Sequence, residues 1–221
     1  MNKKSIIVFT PHPDDETLGA GGFLLSKKQA GYDLIWLIMT HMKEEFGWTK
    51  DQINRREAEI HNVSRMYPFD YVYNLGFEPT GLDKYSFSEL ISPVLDLVKK
   101  HQPEIVLLPS AQDPHTDHKI THQIGISVTK KFRNLNIKSI LEMEILSETN
   151  FGEIDSISAN LYVDISDFFE RKVEILKEYE GELGDHPFPR SLDSVKALAI
   201  LRGSQRGTMY AEAFRIVKSY E

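Results

Sequence analysis

Short apolar segments alternate with longer amphipathic segments through the first two thirds of the chain. Alternation of this kind predicts βαβ units, in which helices cover a parallel sheet and the crossovers are right-handed. The predicted strands are Ser5–Thr10, Leu34–Thr40, Tyr71–Leu75 and Ile105–Pro109, and the predicted helices are Glu16–Ala30, Asp51–Met66, Ser88–Lys100 and Asp117–Phe132. We therefore expect an α/β fold with a mostly parallel sheet.

The last third of the sequence is less regular. Strands are expected at Ser139–Leu146, Leu161–Ile165 and Glu212–Val217, and helices at Asp167–Glu180 and Ser191–Arg202. Because the sequence has no internal repeat, low-complexity tract or linker, we expect residues 1–221 to form a single domain. Two irregular segments, Met42–Lys50 and Gly181–Arg190, carry aromatic and charged side chains and are expected to border a cleft.

The composition is that of a globular protein with an acidic balance. Of 221 residues, 26 are Lys or Arg and 33 are Asp or Glu, which gives a formal net charge of −7. No basic run offsets this charge, so a nucleic-acid partner is disfavoured. The chain has no cysteine, which excludes disulfides, thiolate metal ligands and a cysteine nucleophile. No segment is long and apolar enough to span a bilayer, the N-terminal apolar run is too short for a signal peptide, and we expect a cytoplasmic protein.

Charged residues follow two of the predicted strands close to the point where each strand ends. The segment Pro11-His12-Pro13-Asp14-Asp15-Glu16 follows the first strand, and His115-Thr116-Asp117-His118 follows the fourth. Taken singly, the first segment could be a helix N-terminus capped by aspartate, and the second could be polar residues that face solvent. Ligands of open α/β sheets bind at the carboxyl ends of the strands. Two such clusters at neighbouring strand ends therefore indicate a metal or acid–base site.

Three of these residues form a candidate set of metal ligands. His12 and Asp15 are three residues apart where the strand becomes a helix, and this spacing places both on one face of the first turn. His118 completes the set at the start of the helix after the fourth strand. Two imidazoles and one carboxylate suit Zn²⁺, with Fe²⁺ or Co²⁺ as alternatives. Three protein ligands leave a position for water, as in a catalytic rather than a structural site.

The neighbouring residues predict the remaining roles in hydrolysis of an amide. Asp14 diverges from Asp15 and is expected to accept the proton of water as a general base. His115 is expected to act as a protonated imidazole that stabilises a tetrahedral oxyanion or donates to the leaving amine. Asp117 is expected to orient an imidazole through a carboxylate–histidine hydrogen bond.

These motifs resemble those of the LmbE/PIG-L family of metal-dependent N-acetylglucosamine deacetylases. The family's Ala/Pro-His-Pro-Asp-Asp-Glu is matched at Pro11–Glu16, and its His-Pro-Asp-His is matched at His115–His118 with Thr116 in place of proline. Further matches are an Arg-x-x-Glu at Arg56 and Glu59, then Arg202-Gly203, Gly207 and the segment Tyr210–Phe214. The similarity therefore extends over nearly the whole chain.

The resemblance implies a Rossmann-like three-layer sandwich with a zinc site. The roles it implies are zinc ligands at His12, Asp15 and His118, a general base at Asp14, a histidine near the oxyanion at His115, and a carboxylate that supports this histidine at Asp117. It also implies that the protein hydrolyses the N-acetyl group of a small-molecule amino sugar. Because relatives are often oligomeric, a homo-oligomer is an open expectation.

The resemblance also implies which residues contact the substrate. Arg56 is expected to contact hydroxyl groups, or a phosphate or carboxylate on the aglycone. Some relatives carry a tyrosine two residues before the second motif, where this chain has Asp113, so Tyr210 or His115 is expected to donate to the oxyanion. Two alternatives stay open: a metal-dependent amidase that acts on a non-sugar N-acyl compound, and a sugar-binding module without catalysis.

Overall fold

The computed structural model describes residues 4–133, 136–153 and 157–220. The strands in these ranges are β1 (Ser5–Thr10), β2 (Asp33–Thr40), β3 (Tyr71–Phe77), β4 (Ile105–Leu108), β5 (Ser139–Met143), β6 (Leu161–Asp164) and β7 (Ala211–Ser219). The α-helices are α1 (Asp15–Gln29), α2 (Lys50–Met66), α3 (Phe87–His101), α4 (Thr116–Val128), α5 (Phe169–Leu176) and α6 (Leu192–Arg206). None of the helices in the described ranges has the length and apolar character needed to cross a membrane.

The seven strands form one sheet in the order β3-β2-β1-β4-β5-β7-β6. The first five strands pair in parallel, whereas β7 is antiparallel to both β5 and β6. The order of these first five strands is that of a Rossmann-like sheet. The predicted mostly parallel sheet is therefore confirmed.

Both faces of the sheet are covered by helices, which makes three layers. Val8 and Trp36 pack on one face with residues of α1, α2, α5 and α6, whereas Ile7 and Phe9 pack on the other face with residues of α3 and α4. Consecutive residues of a strand point to opposite faces, so a central strand of such a sandwich must be apolar on both sides. This burial explains why residues 6–9 form a continuous apolar run, and it confirms the predicted α/β sandwich.

Three elements end three or four residues earlier in the structure than the sequence predicts. The elements α4, β5 and α5 end at Val128, Met143 and Leu176 rather than at Phe132, Leu146 and Glu180. After α4, the hydroxyl of Thr129 donates to the carbonyl of Gly125 at 2.6 Å. After β5, the N–H of Ile145 donates to the hydroxyl of Thr149 at 3.0 Å. Such bonds between side chain and backbone compete with regular secondary structure, and an apolar pattern does not reveal them.

The strands β1 and β4 lie next to each other, but the chain leaves them toward opposite faces of the sheet. The helix α1 follows β1 and packs on one face, whereas α4 follows β4 and packs on the other. A crevice opens at the carboxyl ends of two strands in this arrangement, and ligands of such sheets bind there. The fold therefore places the two sequence motifs at one crevice.

Candidate active site

A cavity of about 280 Å³ opens at this crevice. The two sequence motifs line it through His12, Asp14, Asp15, His115 and His118. Its other walls come from the segments that follow β2 and α5, which the sequence predicts as borders of a cleft, and they include Trp48, Glu182 and Arg190. The volume lies just below the usual range for small-molecule sites, so the cavity suits one small ring of a ligand.

The three predicted metal ligands face one another in this cavity. Nδ1 of His12 lies 3.8 Å from Oδ2 of Asp15, and Nε2 of His118 lies 3.5 Å from Oδ1 of the same carboxylate. One ligand atom from each residue lies within 4.8 Å of the others. Ligand atoms that lie about 2 Å from a tetrahedral zinc ion are roughly 3.3 Å apart. The three residues therefore fit one divalent ion with only small adjustments.

The two histidines of this set each have a further carboxylate partner at the ring nitrogen that faces away from Asp15. Nδ1 of His118 lies 2.9 Å from Oδ2 of Asp113, which is fully buried. Nε2 of His12 lies 3.0 Å from Oδ2 of Asp117. A carboxylate on one ring nitrogen fixes the ring and leaves the other nitrogen for a metal. The donor set and its surroundings therefore fit a divalent cation, and Asp113 belongs to the candidate site although the sequence motifs do not identify it.

Asp117 supports a different histidine from the one that the sequence predicts. The family resemblance implies support of His115, whereas the carboxylate of Asp117 holds the ring of His12. The same carboxylate accepts the backbone N–H groups of Thr80 at 2.8 Å and Leu82 at 3.1 Å. Although burial raises the pKa of Asp117, these hydrogen bonds and His12 lower it below its usual value. The anionic carboxylate of Asp117 therefore holds one ring of the candidate metal-ligand set.

His115 occupies the N-cap position of α4. Its Nδ1 accepts the backbone N–H of Asp117 at 3.1 Å. Burial and the neighbouring rings of His12 and His118 lower the pKa of His115 below its usual value. The structure therefore favours a neutral ring at neutral pH rather than the protonated imidazole that the sequence suggests, and the hydrogen bond at Nδ1 places the remaining proton on Nε2.

Asp14, the predicted general base, lies in a strained turn between β1 and α1. Its φ of 117° is a value that residues other than glycine rarely adopt. The N–H of Asp14 donates to Oε2 of Glu16 at 3.1 Å, and the carbonyl of Pro13 accepts Nη1 of Arg56 at 3.1 Å, so the turn is held on both sides. Burial, together with the adjacent carboxylate of Asp15, raises the pKa of Asp14 well above its usual value. A more basic carboxylate suits a general base.

Glu16 supports this turn from outside the cavity lining. It is fully buried, and its carboxylate accepts hydrogen bonds from the hydroxyls of Thr17 at 2.6 Å and Tyr179 at 2.8 Å. Burial raises the pKa of Glu16 to about 7, against the effect of these hydrogen bonds. The sequence assigns no role to this residue. Its place in the first motif is the signal that could have identified it.

Two guanidinium groups line the cavity, and both contact Glu182. Nη2 of Arg56 donates to Oε1 of Glu182, and Nη2 of Arg190 lies 3.3 Å from Oε2. Nε of Arg56 is also 3.2 Å from Glu59, and Nη1 of Arg190 is 3.5 Å from Asp14. Arg56 therefore lines the cavity, but partners within the protein already occupy its donors. The sequence gives only a general signal for Glu182 and Arg190, through the charged character of the segment after α5.

Tyr210 lies apart from the cavity. Its ring stacks on the ring of Phe169 with the centroids 4.0 Å apart, and its backbone N–H donates to the hydroxyl of Ser166 at 3.2 Å. It is not among the residues that line the cavity. The structure does not bring Tyr210 together with the other predicted site residues, and His115 is the candidate that stays in place as oxyanion donor.

Proteins of known sequence and structure resemble this chain along its whole length. The diacetylchitobiose deacetylase of Thermococcus kodakarensis is 24% identical over 233 residues, which cover 97% of this chain and 83% of the relative. The N,N'-diacetylchitobiose deacetylase of Pyrococcus horikoshii superposes with a TM-score of 0.77 at 22% identity, over 97% of this chain and 84% of that chain. GalB, the 4-carboxy-2-hydroxymuconate hydratase of Pseudomonas putida, superposes with a TM-score of 0.77 at 15% identity, over 99% of this chain and 98% of that chain. The structural likenesses confirm the fold.

A family model matches the part of the chain that carries both motifs. The PIG-L model, described as GlcNAc-PI de-N-acetylase, matches residues 7–129. This match covers more than half of the 221 residues and includes the candidate metal ligands. The resemblance inferred from the motifs is therefore confirmed, and the chain belongs to the PIG-L family.

Proposed function

We propose that this protein is a zinc-dependent hydrolase that removes the N-acetyl group from an N-acetylglucosamine-type sugar or conjugate. Membership of the PIG-L family and similarity to the diacetylchitobiose deacetylase of Thermococcus kodakarensis support the reaction and the substrate class. The observation that carries the proposal is the meeting of ligand atoms from His12, Asp15 and His118, with Asp113 and Asp117 on the opposite ring nitrogens. Fe²⁺ and Co²⁺ suit the same donors and are the alternatives to zinc.

Asp14 performs the proton transfers of this reaction. When bound, the divalent ion supplies Lewis acidity, which polarises the acyl oxygen and lowers the pKa of water. Asp14 lines the cavity next to the ligand Asp15 and accepts the proton of the attacking water. It then returns this proton to the nitrogen of the departing amine as the carbon–nitrogen bond breaks. The products are acetate and a free amino sugar.

His115 supplies a hydrogen bond to the acyl oxygen. Its ring centroid lies 4.9 Å from that of His12 and 5.3 Å from that of His118, so it borders both metal-ligand rings. Because Nδ1 accepts a backbone N–H, the neutral ring donates through Nε2. A fixed donor of this kind gains strength as negative charge develops on the oxygen in the transition state.

The same proposal extends to the substrate, the cellular location and the oligomeric state of the enzyme. Its partner is a small-molecule amino sugar, whose acetylated ring suits a cavity of about 280 Å³. The absence of cysteine agrees with a reducing compartment, and we infer a cytoplasmic location. A homo-oligomer stays a prediction from the family resemblance.

Acetate release tests the proposed function directly. The purified protein is treated with a chelator, reconstituted with zinc or iron, and assayed with N-acetylglucosamine, N,N'-diacetylchitobiose and N-acetyl amino acids. We expect acetate from the sugars only when metal is present. Release from the amino acids but not from the sugars would indicate a non-sugar amidase. Sugar binding without acetate release would indicate a binding protein.

A further inference from the structure

The positive charge of the cavity is already paired within the protein. Glu182 lies between Arg56 and Arg190 and contacts both guanidinium groups. Arg56 is also 3.2 Å from Glu59 through Nε, and Arg190 is 3.5 Å from Asp14 through Nη1. Within the described ranges, no lysine lines the cavity. An incoming anion would therefore compete with protein carboxylates for both arginines.

The surroundings of the Arg190 guanidinium do not favour a phosphate. Among the described residues, Nε of Arg190 is buried and has no hydrogen-bond partner. A guanidinium typically binds a phosphate or carboxylate through two parallel N–H groups. Both Nη atoms of Arg190 already contact Asp14 or Glu182. The carboxylates beside both Nη atoms would repel a phosphate at this guanidinium.

In the cavity wall formed by residues 41–50, basic side chains are also paired with carboxylates. Lys43 lies 3.4 Å from Glu45, and Lys50 lies 3.8 Å from Glu44. These exposed pairs are weak, but each places a carboxylate beside the basic group. Trp48 lines the cavity from this wall, and an indole face packs well against an uncharged ring. The net charge of −7 on the whole chain also repels anions at longer range.

We propose that the substrate is an uncharged N-acetylglucosaminide, such as a neutral glycoside or oligosaccharide, and that Glu182 sets this selectivity by pairing with both Arg56 and Arg190. The inference rests on the proposed deacetylase function and narrows its substrate class. It assigns Arg56 to holding the turn before Asp14. The family resemblance implies that Arg56 contacts hydroxyl groups or a phosphate or carboxylate aglycone, and the inference argues against the phosphate and the carboxylate.

A matched pair of substrates tests the selectivity. Methyl N-acetylglucosaminide and N-acetylglucosamine 1-phosphate carry the same acetylated ring and differ in the charge of the group on C1. Acetate release from each is measured with the metal-reconstituted enzyme. We expect kcat/KM to be about tenfold or more higher for the neutral glycoside. An equal or higher kcat/KM for the phosphate overturns the inference.

The variant Glu182→Gln tests whether Glu182 sets the selectivity for an uncharged substrate. It keeps the size of the side chain but removes the charge between two guanidinium groups. We expect kcat/KM for the phosphate, relative to the glycoside, to rise about fivefold or more. Glu180→Gln removes an equal charge from an exposed residue of the same segment and should leave the ratio unchanged. An unchanged ratio in Glu182→Gln, or an equal rise in the control, overturns the role of Glu182.

Binding of the product amines separates a failure of this inference from a failure of the proposed function. Calorimetry with methyl glucosaminide and glucosamine 1-phosphate needs no turnover by the metal-reconstituted enzyme. We expect methyl glucosaminide to bind more tightly. Tighter binding of glucosamine 1-phosphate, or binding of neither amine, contradicts the inference. If the expected order holds while neither N-acetyl sugar is hydrolysed, the selectivity stands and the proposed function is wrong.

Discussion

The carboxylates around the candidate ligand histidines set how strongly these rings attract a proton or a cation. Burial alone would lower the pKa of His118, but the carboxylates of Asp15 and Asp113 raise it to about 9. A ring nitrogen that attracts a proton this strongly also attracts a cation, because both bind the same lone pair. Proton and metal therefore compete at His118, and Asp113 favours both of them.

Replacing Asp113 by asparagine should weaken metal binding. The amide keeps the shape of the side chain, but it removes the charge that holds Nδ1 of His118 and increases the basicity of the ring. We expect the Kd for zinc to rise about 10- to 100-fold, measured by competition with a chromophoric chelator. Asp96→Asn, at an exposed position of α3, is the control and should leave the Kd unchanged. A wild-type Kd in Asp113→Asn would show that Asp113 does not position His118.

Replacing Asp14 by asparagine should separate catalysis from metal binding. The amide cannot accept the proton of water, while the proposed metal ligands His12 and Asp15 are unchanged. Asparagine also tolerates positive φ better than most residues, so the turn should survive. We expect turnover to fall about 100-fold or more while the metal content, measured by elemental analysis, stays near that of the wild type. Loss of metal together with activity would argue against Asp14 as the base.

Single residues differ in how far the sequence reveals them. His12, Asp15 and His118 are predictable because each lies where a motif follows an apolar strand, and the carboxyl ends of neighbouring parallel strands meet. The partner carboxylates of Asp113 and Glu182 carry no such signal. Their contacts depend on how the loops before α4 and after α5 turn, and side chains far apart in the chain decide those turns.

At the scale of elements, buried polar contacts join α1 to the C-terminal third of the chain. Glu212 on β7 accepts the backbone N–H groups of Gly22 at 2.8 Å and Phe23 at 2.7 Å. The φ and ψ of Ala20 are not helical, and this kink explains why these two N–H groups bond outside the helix. Lys172 on α5 lies 2.8 Å from the same carboxylate. The helix that carries Asp15 is therefore fixed to both α5 and β7.

Replacing Lys172 by methionine should destabilise the fold. The change leaves the buried carboxylate of Glu212 without its cation, and loss of one partner from a buried pair costs about 3–5 kcal/mol. We expect a decrease of this size in the free energy of unfolding, measured by urea denaturation. Lys177→Met, at an exposed position just after α5, is the control and should change stability little. A small effect of Lys172→Met would show that the two backbone N–H groups satisfy Glu212 alone.

The types of the elements follow from the sequence more readily than their ends and their packing. The apolar runs of β1 and β2 predict buried strands because both faces of this sheet are covered. The close approach of α4 to β4 is not visible in a periodicity. A Cβ at Gly125 would lie 2.2 Å from Cδ2 of Leu108, so only a glycine allows this contact as it stands. Such fits depend on pairs of residues that no local pattern connects.

At the scale of the whole molecule, three of the chain segments that line the cavity differ in how far their positions can be predicted. The carboxyl ends of β1 and β4 bring two of them together, and the order of a parallel sheet makes that meeting predictable. The third part, with Glu182 and Arg190, follows α5 and closes the cavity from the side. No rule of sheet topology predicts where this segment lies. The meeting of the two motifs was therefore predictable from the sequence, whereas the individual contacts of Glu182 and Arg190 were not.

Metal binding should stabilise the whole fold, and by more at high pH than at low pH. In the metal-free protein the pKa of His118 is about 9, above its ordinary 6.5, so protonation contributes stability below pH 6.5 that is lost as the pH rises to about 9. A bound cation replaces this proton. The difference in Tm between the reconstituted and the chelated protein should therefore widen from pH 6.5 to pH 9, as measured by scanning calorimetry. In His118→Gln the difference should be small at every pH, and a wild-type difference that does not change with pH would contradict His118 as the shared site of proton and metal.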